Sequence, residues 1–265
     1  MAVFSHLQVL PYFCSMEVFN ISLPTNWAEL TDKQLHMVYS LFARDLSAAE
    51  VKTLCLIKWN RLKLLATLPD KRSLMKREGE QDVALSARQI QQATSVLDFL
   101  ESFAPMPVRI SHIGKHRAIS ATFEKVPFEQ YLYVDNLFQG YLHTQQDELL
   151  LQIAQVLYGS DNVKPSKAHL IGVFYWMASL KQYFSNTFSN FYKPIASKEN
   201  GGSLGDEQTE LYKLLRDTSN SMIRALTGGD ITKEAAILKM DTWRALTELD
   251  AKAKEAEELR KSMKK

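Results

Sequence analysis

Two histidines four residues apart, His112 and His116, have the spacing that would place two imidazole metal ligands on one face of a helix. Apolar and polar residues alternate on both sides of Gly114 and Lys115, however, which is typical of a β-hairpin. A hairpin places the two rings on different strands, and residues 108–122 contain no cysteine and no carboxylate. We therefore expect ordinary histidines and no metal ion at this place.

Two cysteines, Cys14 and Cys55, are the candidate nucleophiles. Each lies in an apolar stretch without a local histidine, a Cys-X-X-Cys pair or a nucleophile elbow, so both are expected to be core thiols in a reducing compartment. The sequence also has two pairs of glycines that lack the Lys and Ser/Thr of a phosphate-binding loop: Gly201-Gly202 and Gly228-Gly229. We expect no catalytic residue, no cofactor, no metal, and a protein that is not an enzyme.

A basic cluster in the first half of the sequence has four members: Lys71, Arg72, Lys76 and Arg77. Three acidic residues follow at once and nearly cancel its charge: Glu78, Glu80 and Asp82. The interleaved aromatic residues of a single-strand nucleic-acid binder are absent, and a formal net charge of +2 gives no global attraction to nucleic acid. We expect a solvated loop over residues 69–82 and no nucleic-acid partner.

The composition, 46% hydrophobic and 23% charged, is that of a globular protein with a packed core. The most apolar segment, residues 170–180, is about half the ~20 residues that cross a bilayer, which indicates a buried helix. The first residues lack a basic region and contain Pro11, which is unlike a signal peptide. We therefore expect a cytoplasmic protein with no membrane partner.

Three capping boxes with hydrophobic staples predict helices that begin after Thr31, Ser47 and Ser86. Spacing of apolar residues predicts that the second of these helices continues through Leu62 and Leu65. A period-two pattern before Pro24 predicts a short strand at Phe19, Ile21 and Leu23.

Further helices are predicted in the second half of the chain. One begins at Pro127 and carries Leu137, another begins near Thr144, and a third follows Ser166 and is apolar nearly all round, which is typical of a central core helix. Beyond them, one helix carries Leu215 and stops at Gly228-Gly229, and a last helix runs from near Thr232 towards the C-terminus. The predicted fold class is mainly α, a multi-helix globular bundle with a minor β-hairpin, a short N-terminal strand and a C-terminal helical arm.

The composition changes to Lys, Ser, Asn and Gly near residue 194, which is typical of a flexible connector. We therefore predict a main helical domain over residues 1–193, a flexible linker over residues 194–205 and a C-terminal helical arm over residues 206–265. If the arm is separable, deleting it leaves a folded body with little change in melting temperature.

Two sets of apolar residues are the candidate partner-binding surface. The first is the narrow apolar stripe of the last helix, Trp243, Leu246 and Leu249, and the second is the aromatic group Phe188, Phe191 and Tyr192. For both sets the alternative is that the residues pack into the core of the main body.

Two stretches carry a resemblance to known proteins: Leu23-Pro24-Thr25-Asn26-Trp27-Ala28-Glu29-Leu30-Thr31 and Met240-Asp241-Thr242-Trp243-Arg244-Ala245-Leu246-Thr247-Glu248. Both resemble segments of uncharacterised proteins of prophage structural-gene clusters. The second, with the charged tail that follows it, is similar to the helical ends of phage tail assembly chaperone-like proteins.

The resemblance implies a non-catalytic cytoplasmic protein of phage morphogenesis, whose protein partner is a phage tail or tape-measure protein. In such a role the protein would shield apolar helices of the tape-measure protein. Three alternatives stay open: a virion structural component, a small-molecule enzyme, and a nucleic-acid-binding regulator without a recognisable motif.

Overall fold

The computed structural model of the protein describes residues 21–79, 81–192 and 207–263, with residues 207–212 described by their backbone alone. These residues form a mainly α fold, as the sequence predicts, with two small antiparallel sheets, of which only the two-stranded one was predicted. The helices are α1 (Asp32–Phe42), α2 (Ala48–Trp59), α3 (Ala87–Thr94), α4 (Phe128–Thr144), α5 (Asp147–Leu157), α6 (Lys167–Thr187), α7 (Glu207–Thr227), α8 (Glu234–Leu238) and α9 (Thr242–Ser262). The strands are β1 (Leu62–Thr67), β2 (Ser73–Arg77), β3 (Val83–Leu85), β4 (His112–Ile113) and β5 (His116–Arg117). Within these described ranges, no helix is long and apolar enough to cross a membrane.

The chain divides into two compact units, Met1–Ala104 and Pro105–Lys265. This division differs from the predicted one, which separated a main domain of residues 1–193 from an arm of residues 206–265. The difference arises because α7 and α9 both contact α4 and contribute side chains to the core of the second unit. The predicted linker, residues 194–205, lies outside the described residues.

The three predicted helix starts of the first unit are confirmed. Thr31, Ser47 and Ser86 have extended backbones, and each side-chain oxygen accepts the backbone N–H of the third residue that follows at 3.3 Å. In return, the side chain of that third residue, Gln or Glu, accepts the N–H of the cap residue at 2.8–2.9 Å. These reciprocal bonds satisfy N–H groups that have no partner inside the helix.

The predicted continuation of α2 through Leu65 is wrong, because the helix stops before Asn60. The side-chain NH₂ of Asn60 donates to the Leu56 carbonyl at 3.1 Å, and Arg61 has a left-handed backbone with φ of 54°. A left-handed residue after a helix turns the chain away from the helix axis. Leu62 is then buried on strand β1, whereas Leu65 is 48% exposed.

The predicted loop over residues 69–82 is also wrong, because it contains β2, the central strand of an antiparallel sheet in the order β1-β2-β3. Met75 is the buried side chain of this strand. Charged residues near it in the sequence hide the alternation of apolar and polar residues that is typical of a strand. Of the predicted N-terminal strand, Phe19 lies outside the described residues. Ile21 and Leu23 have no strand structure, and they pack against the same core as Met75.

Trp27 is a buried residue of the first unit that packs against other aromatic side chains. Its ring stacks on Tyr39 with 6.1 Å between centroids and meets the edge of Phe99 at 5.8 Å. The indole Nε1 donates to the carbonyls of Phe99 and Ser102 at 2.9 and 3.1 Å. A buried indole N–H therefore ties the segment before α1 to the segment after α3.

The second unit begins with the predicted hairpin, which is confirmed as β4 and β5. Gly114 at its turn has φ of 59°, a conformation that favours glycine. Helix α4 follows Pro127 as predicted. Helix α5 begins later than its predicted start near Thr144, because α4 extends through that residue and ends at Gln145 with φ of 56°.

Helix α6 is the central core element, as predicted. It begins after Ser166, whose backbone N–H donates to Nδ1 of His169 at 3.1 Å. Its buried side chains contact those of α4, α5 and α9 in one cluster, and the largest of them are Trp176, Met177, Leu180 and Phe184.

In the C-terminal part of the second unit, one prediction from the sequence is confirmed and another is wrong. Helix α7 stops at Gly228 and Gly229 as predicted, and both have positive φ. The single last helix predicted from Thr232 is instead the pair α8 and α9. The chain breaks between them because Asp241 caps α9 with one carboxylate oxygen, while the other accepts the N–H of Lys125 at 2.6 Å.

Further bonds join this break to the loop before α4. Thr242 donates to the Val126 carbonyl twice, from its backbone N–H at 2.9 Å and from its hydroxyl at 2.7 Å. The indole Nε1 of Trp243 donates to the Thr122 carbonyl at 2.6 Å. We call residues 240–243 the closing turn, because it joins the beginning of the second unit to its last helix.

Candidate partner-binding groove

An open groove lies between α4, α5 and α7 within the second unit. Its volume is about 340 Å³, and eight residues line it: Tyr133, Asn136, Leu137, Gly140, Leu149, Leu215, Arg216 and Ser219. The four residues from α4 are three, four and seven positions apart, which places them on one face of that helix. The groove is therefore built from the faces of helices and not from loops.

A glycine sets the width of the groove on the side of α5. Gly140 is buried in α4, and a Cβ atom at this position would lie 3.3 Å from Cδ1 of Leu149. That distance is tighter than most Cβ contacts, so Leu149 would have to move if the glycine were replaced. The small residue lets α5 approach α4 closely and leaves the leucine side chain at the wall of the groove.

Most of the groove wall is apolar. Leu137, Leu149 and Leu215 are half-buried, and Tyr133 at the rim is 51% exposed. On α7, Leu214 stands next to the groove residue Leu215 and is 63% exposed. Half-buried apolar side chains around an open groove lose contact with water when another apolar surface covers them, which favours binding.

Two polar features complete the groove. The side-chain NH₂ of Asn136 donates to the hydroxyl of Ser219 at 3.1 Å, and this bond ties α4 to α7. Arg216 is the one charged lining residue, and its side chain is 71% exposed. The groove can thus bind an apolar surface while the guanidinium of Arg216, 3.9 Å from the Asp217 carboxylate, stays in water at its edge.

The predicted partner-binding residues lie elsewhere, and three of the six are buried. Phe188 is 4% exposed, Leu246 is fully buried and Leu249 is 3% exposed. All three belong to the core of the second unit. They are not a free surface, and the alternative that these residues pack into the main body applies to them.

The other three predicted residues are half-buried and make specific contacts within the unit. The ring of Trp243 meets those of Phe184 and Phe188 at centroid distances of 5.7 and 5.4 Å. The backbone N–H of Phe191 donates to the Asp250 carboxylate at 2.9 Å, and the hydroxyl of Tyr192 lies 2.6 Å from that of Tyr131. These contacts indicate a structural role for Trp243, Phe191 and Tyr192.

Tyr192 belongs to a group of polar side chains that are buried or half-buried. Nζ of Lys181 forms an ion pair with Asp135 at 2.7 Å, although the pair lacks the alignment of a hydrogen bond, and it lies 5.4 Å from the centre of the Tyr192 ring. Burial, and then the charge of Asp135, raise the pKa values of Tyr131 and Tyr192 well above the usual range. Both hydroxyls are therefore protonated at neutral pH, and the group joins α4 to the end of α6.

The residues singled out for possible chemistry have ordinary surroundings. Cys55 is buried, and burial raises the pKa of its thiol to about 12, so that it stays protonated. His112 and His116 stand on opposite strands and are not partners in the register, because each faces a different residue. In the part of the chain that the structure describes, no three His, Cys, Asp or Glu side chains form a metal-binding group. Cys14 lies outside that part.

Sequence reasoning did not find the groove. Leu137 and Leu215 are recognisable as apolar residues on helices, but nothing in the sequence indicates that α4 and α7 lie side by side. The signal that could have suggested it is weak: Gly140 within the long apolar helix α4 is a position that favours close helix packing.

No protein-family model, curated protein or solved structure shows significant similarity to this chain.

Proposed function

We propose that this protein is a non-catalytic protein of phage or prophage morphogenesis, similar in role to tail assembly chaperones. In this proposal it acts in the cytoplasm and binds a helical segment of a tail or tape-measure protein in the groove between α4, α5 and α7. The observation that carries the binding role is the groove itself, with its half-buried apolar wall and its exposed Tyr133 and Arg216 at the edge.

A helix is the occupant that suits this shape best. An amphipathic helix presents apolar side chains at positions i, i+3, i+4 and i+7, and it binds by inserting them between the helices of its partner. The groove residues of α4 have the same periodicity, so ridges of one helix can pack into grooves of the other. Arg216 would pair with a carboxylate on the polar side of the bound helix.

The assignment to phage morphogenesis rests on the resemblance of two short stretches. In the structure, each stretch contributes a tryptophan to packing within its unit, Trp27 in the first and Trp243 in the second. The resemblance therefore concerns residues that maintain the fold. The role of binding a helix rests separately on the groove, and the two parts of the proposal can fail independently.

Co-expression tests the proposal directly. The full chain is expressed together with a tape-measure protein encoded in the same gene cluster, and the soluble fraction of the tape-measure protein is measured. Tyr133→Asp puts a charge on the apolar wall, so it should abolish the gain in solubility. Leu142→Asp is the matched control, because Leu142 lies on the same helix, is 44% exposed and does not line the groove.

Two results would overturn the proposed binding role. In one, the wild-type chain leaves the tape-measure protein as insoluble as it is alone. In the other, the variants Tyr133→Asp and Leu142→Asp protect it equally well. If the protein is instead found at fixed stoichiometry in purified virions, the alternative of a virion structural component replaces the chaperone role.

A further inference from the structure

The hairpin formed by β1 and β2 in the first unit concentrates positive charge. The segment from Arg61 to Arg77 contains one acidic residue, Asp70, and six basic residues: Arg61, Lys63, Lys71, Arg72, Lys76 and Arg77. Five of the six are exposed, and Arg77 is half-buried. Lys63, Lys76 and Arg77 lie on the paired strands, Lys71 and Arg72 lie in the turn that joins them, and Arg61 directly precedes β1.

The pairing of the strands brings like charges together. Lys63 on β1 is the direct partner of Lys76 on β2 in the antiparallel register. Like charges directly opposite each other on a sheet are unfavourable unless something neutralises them. An anionic ligand on this face would remove the repulsion.

Acidic residues neutralise only part of this charge. Arg72 pairs with Asp70 at 2.6 Å, and Lys76 lies 3.6 Å from Asp82. Among the described residues, by contrast, Lys63 and Lys71 have no ion-pair partner within 4.0 Å. One of these lysines is on strand β1, and the other is in the turn that joins the two strands.

We propose that the β1–β2 hairpin binds the phosphate backbone of double-stranded DNA, with Lys63 and Lys71 as the main contacts. The major groove of B-form DNA admits a two-stranded β-ribbon, whereas that of A-form RNA is too narrow for protein side chains. The expected contacts go to phosphates, so the binding is strongly salt-dependent and does not depend on base sequence. This inference rests on the first unit and is independent of the proposed function. It departs from the expectation of no nucleic-acid partner, which counted Glu78, Glu80 and Asp82 against the basic residues.

The positions of the apolar residues favour DNA over an anionic membrane. Leu64 and Leu65 are 55% and 48% exposed, but they lie in the middle of β1. The exposed tip between the strands consists of Pro69, Asp70, Lys71 and Arg72 and contains no large apolar side chain. A hairpin that enters a bilayer would need its apolar residues at the tip, since charged groups are costly there.

The test measures the binding of the full-length protein to a short fluorescent DNA duplex of arbitrary sequence by anisotropy. We expect a dissociation constant of about 10⁻⁴ to 10⁻⁶ M near physiological salt, and tighter binding at about 50 mM salt. The double variant Lys63→Glu with Lys71→Glu should weaken binding by about tenfold or more, and it should reduce the salt slope by about one for each lysine.

The matched control is the double variant Lys33→Glu with Arg44→Glu, which makes the same change in net charge at two exposed positions near the two ends of α1. It should retain most of the affinity. Thermal melting checks that both variants are folded, which is expected because all four side chains are exposed. The inference is overturned if the wild type does not bind the duplex, if both double variants lose affinity equally, or if the wild type binds phosphatidylserine vesicles more tightly than DNA.

Discussion

In each of the two units, the indole N–H of a tryptophan donates a hydrogen bond to the carbonyl of a residue that is distant in the sequence. The two units differ in the length of chain between donor and acceptor. In the first unit, the indole of Trp27 donates to carbonyls that lie 72 and 75 positions further along the chain. In the second unit, the bonds from Asp241, Thr242 and Trp243 reach back across 116 to 121 positions. The second unit is therefore complete only when its last helix is in place.

The C-terminal residues therefore have a structural role in the core of the second unit. In the second unit, they supply both the closing turn and three fully or nearly fully buried side chains of α9: Ala245, Leu246 and Leu249. Long-range contacts of this kind are made late in folding because their loop-closure entropy must be overcome first.

Deletion of the chain after Gly205 should have the largest effect on the difference between the two units. The sequence suggested that a folded body would remain, but the structure leads us to expect that the second unit loses its tertiary structure, because its core would be open on the side of α9. The first unit should still melt cooperatively. Limited proteolysis checks this: residues 105–192 should be cleaved rapidly while residues 21–104 stay protected. Equal protection of both ranges would show that the last helices are dispensable.

A pair of substitutions within α9 sharpens the comparison. Leu246→Ala should reduce the free energy of unfolding of the second unit by about 2–5 kcal/mol, because it leaves a cavity in a packed core. Leu259→Ala removes a side chain that is 64% exposed on the same helix, so its effect should stay within about 0.5 kcal/mol. Urea denaturation measures both values. Similar losses for the two variants would mean that the burial of α9 is not what stabilises the unit.

The smallest expected effect is at a helix cap in the first unit. Ser47→Ala should lower the free energy of unfolding by about 1 kcal/mol, because the N–H of Glu50 loses its acceptor at the start of α2. It should not alter the second unit. Urea denaturation at neutral pH, followed separately for each unit by proteolysis, measures the change. An unchanged free energy of unfolding of the first unit would contradict the role of this cap.

The stability that this cap contributes depends on pH, and the direction of that dependence follows from the pKa of Glu50. Hydrogen bonds from the Ser47 hydroxyl and backbone hold the pKa of the Glu50 carboxyl below its usual value. A lowered folded-state pKa adds stability above the unfolded pKa, about 4.3, and this stability disappears as the pH falls through the folded value. The difference between wild type and Ser47→Ala should therefore be smaller in acid than at neutral pH.

The capping boxes predicted three helix starts correctly, whereas the helix expected to begin near Thr144 begins at Asp147. The capping boxes at Thr31, Ser47 and Ser86 need only four consecutive residues, and the stop at Gly228 needs only a left-handed conformation. These features depend on short-range bonds that the chain makes wherever the segment lies. For the same reason the mainly α class followed from the sequence.

Features that depend on distant partners were predicted poorly. Leu62 and Leu65 fit the spacing of apolar residues in a helix. The helix nevertheless ends before Asn60, and the left-handed backbone of Arg61 directs the chain into strand β1. Strand β2 is hard to recognise because Met75 is its single fully buried residue. The groove has only one weak local signal, Gly140 in α4, since it exists only where α7 packs beside α4.

The closing turn also has a consequence for synthesis on the ribosome. Residues of the first unit leave the ribosome early, so the bonds from Trp27 to the carbonyls of Phe99 and Ser102 can form while the rest of the chain is being translated. The loop that contains Lys125 and Val126 must wait for Asp241 and Thr242, which are made more than a hundred residues later. During that interval the side chains that α9 covers, among them Phe184 and Phe188 against Trp243, stay uncovered. Exposed apolar surface of this kind makes a partly folded chain prone to aggregation.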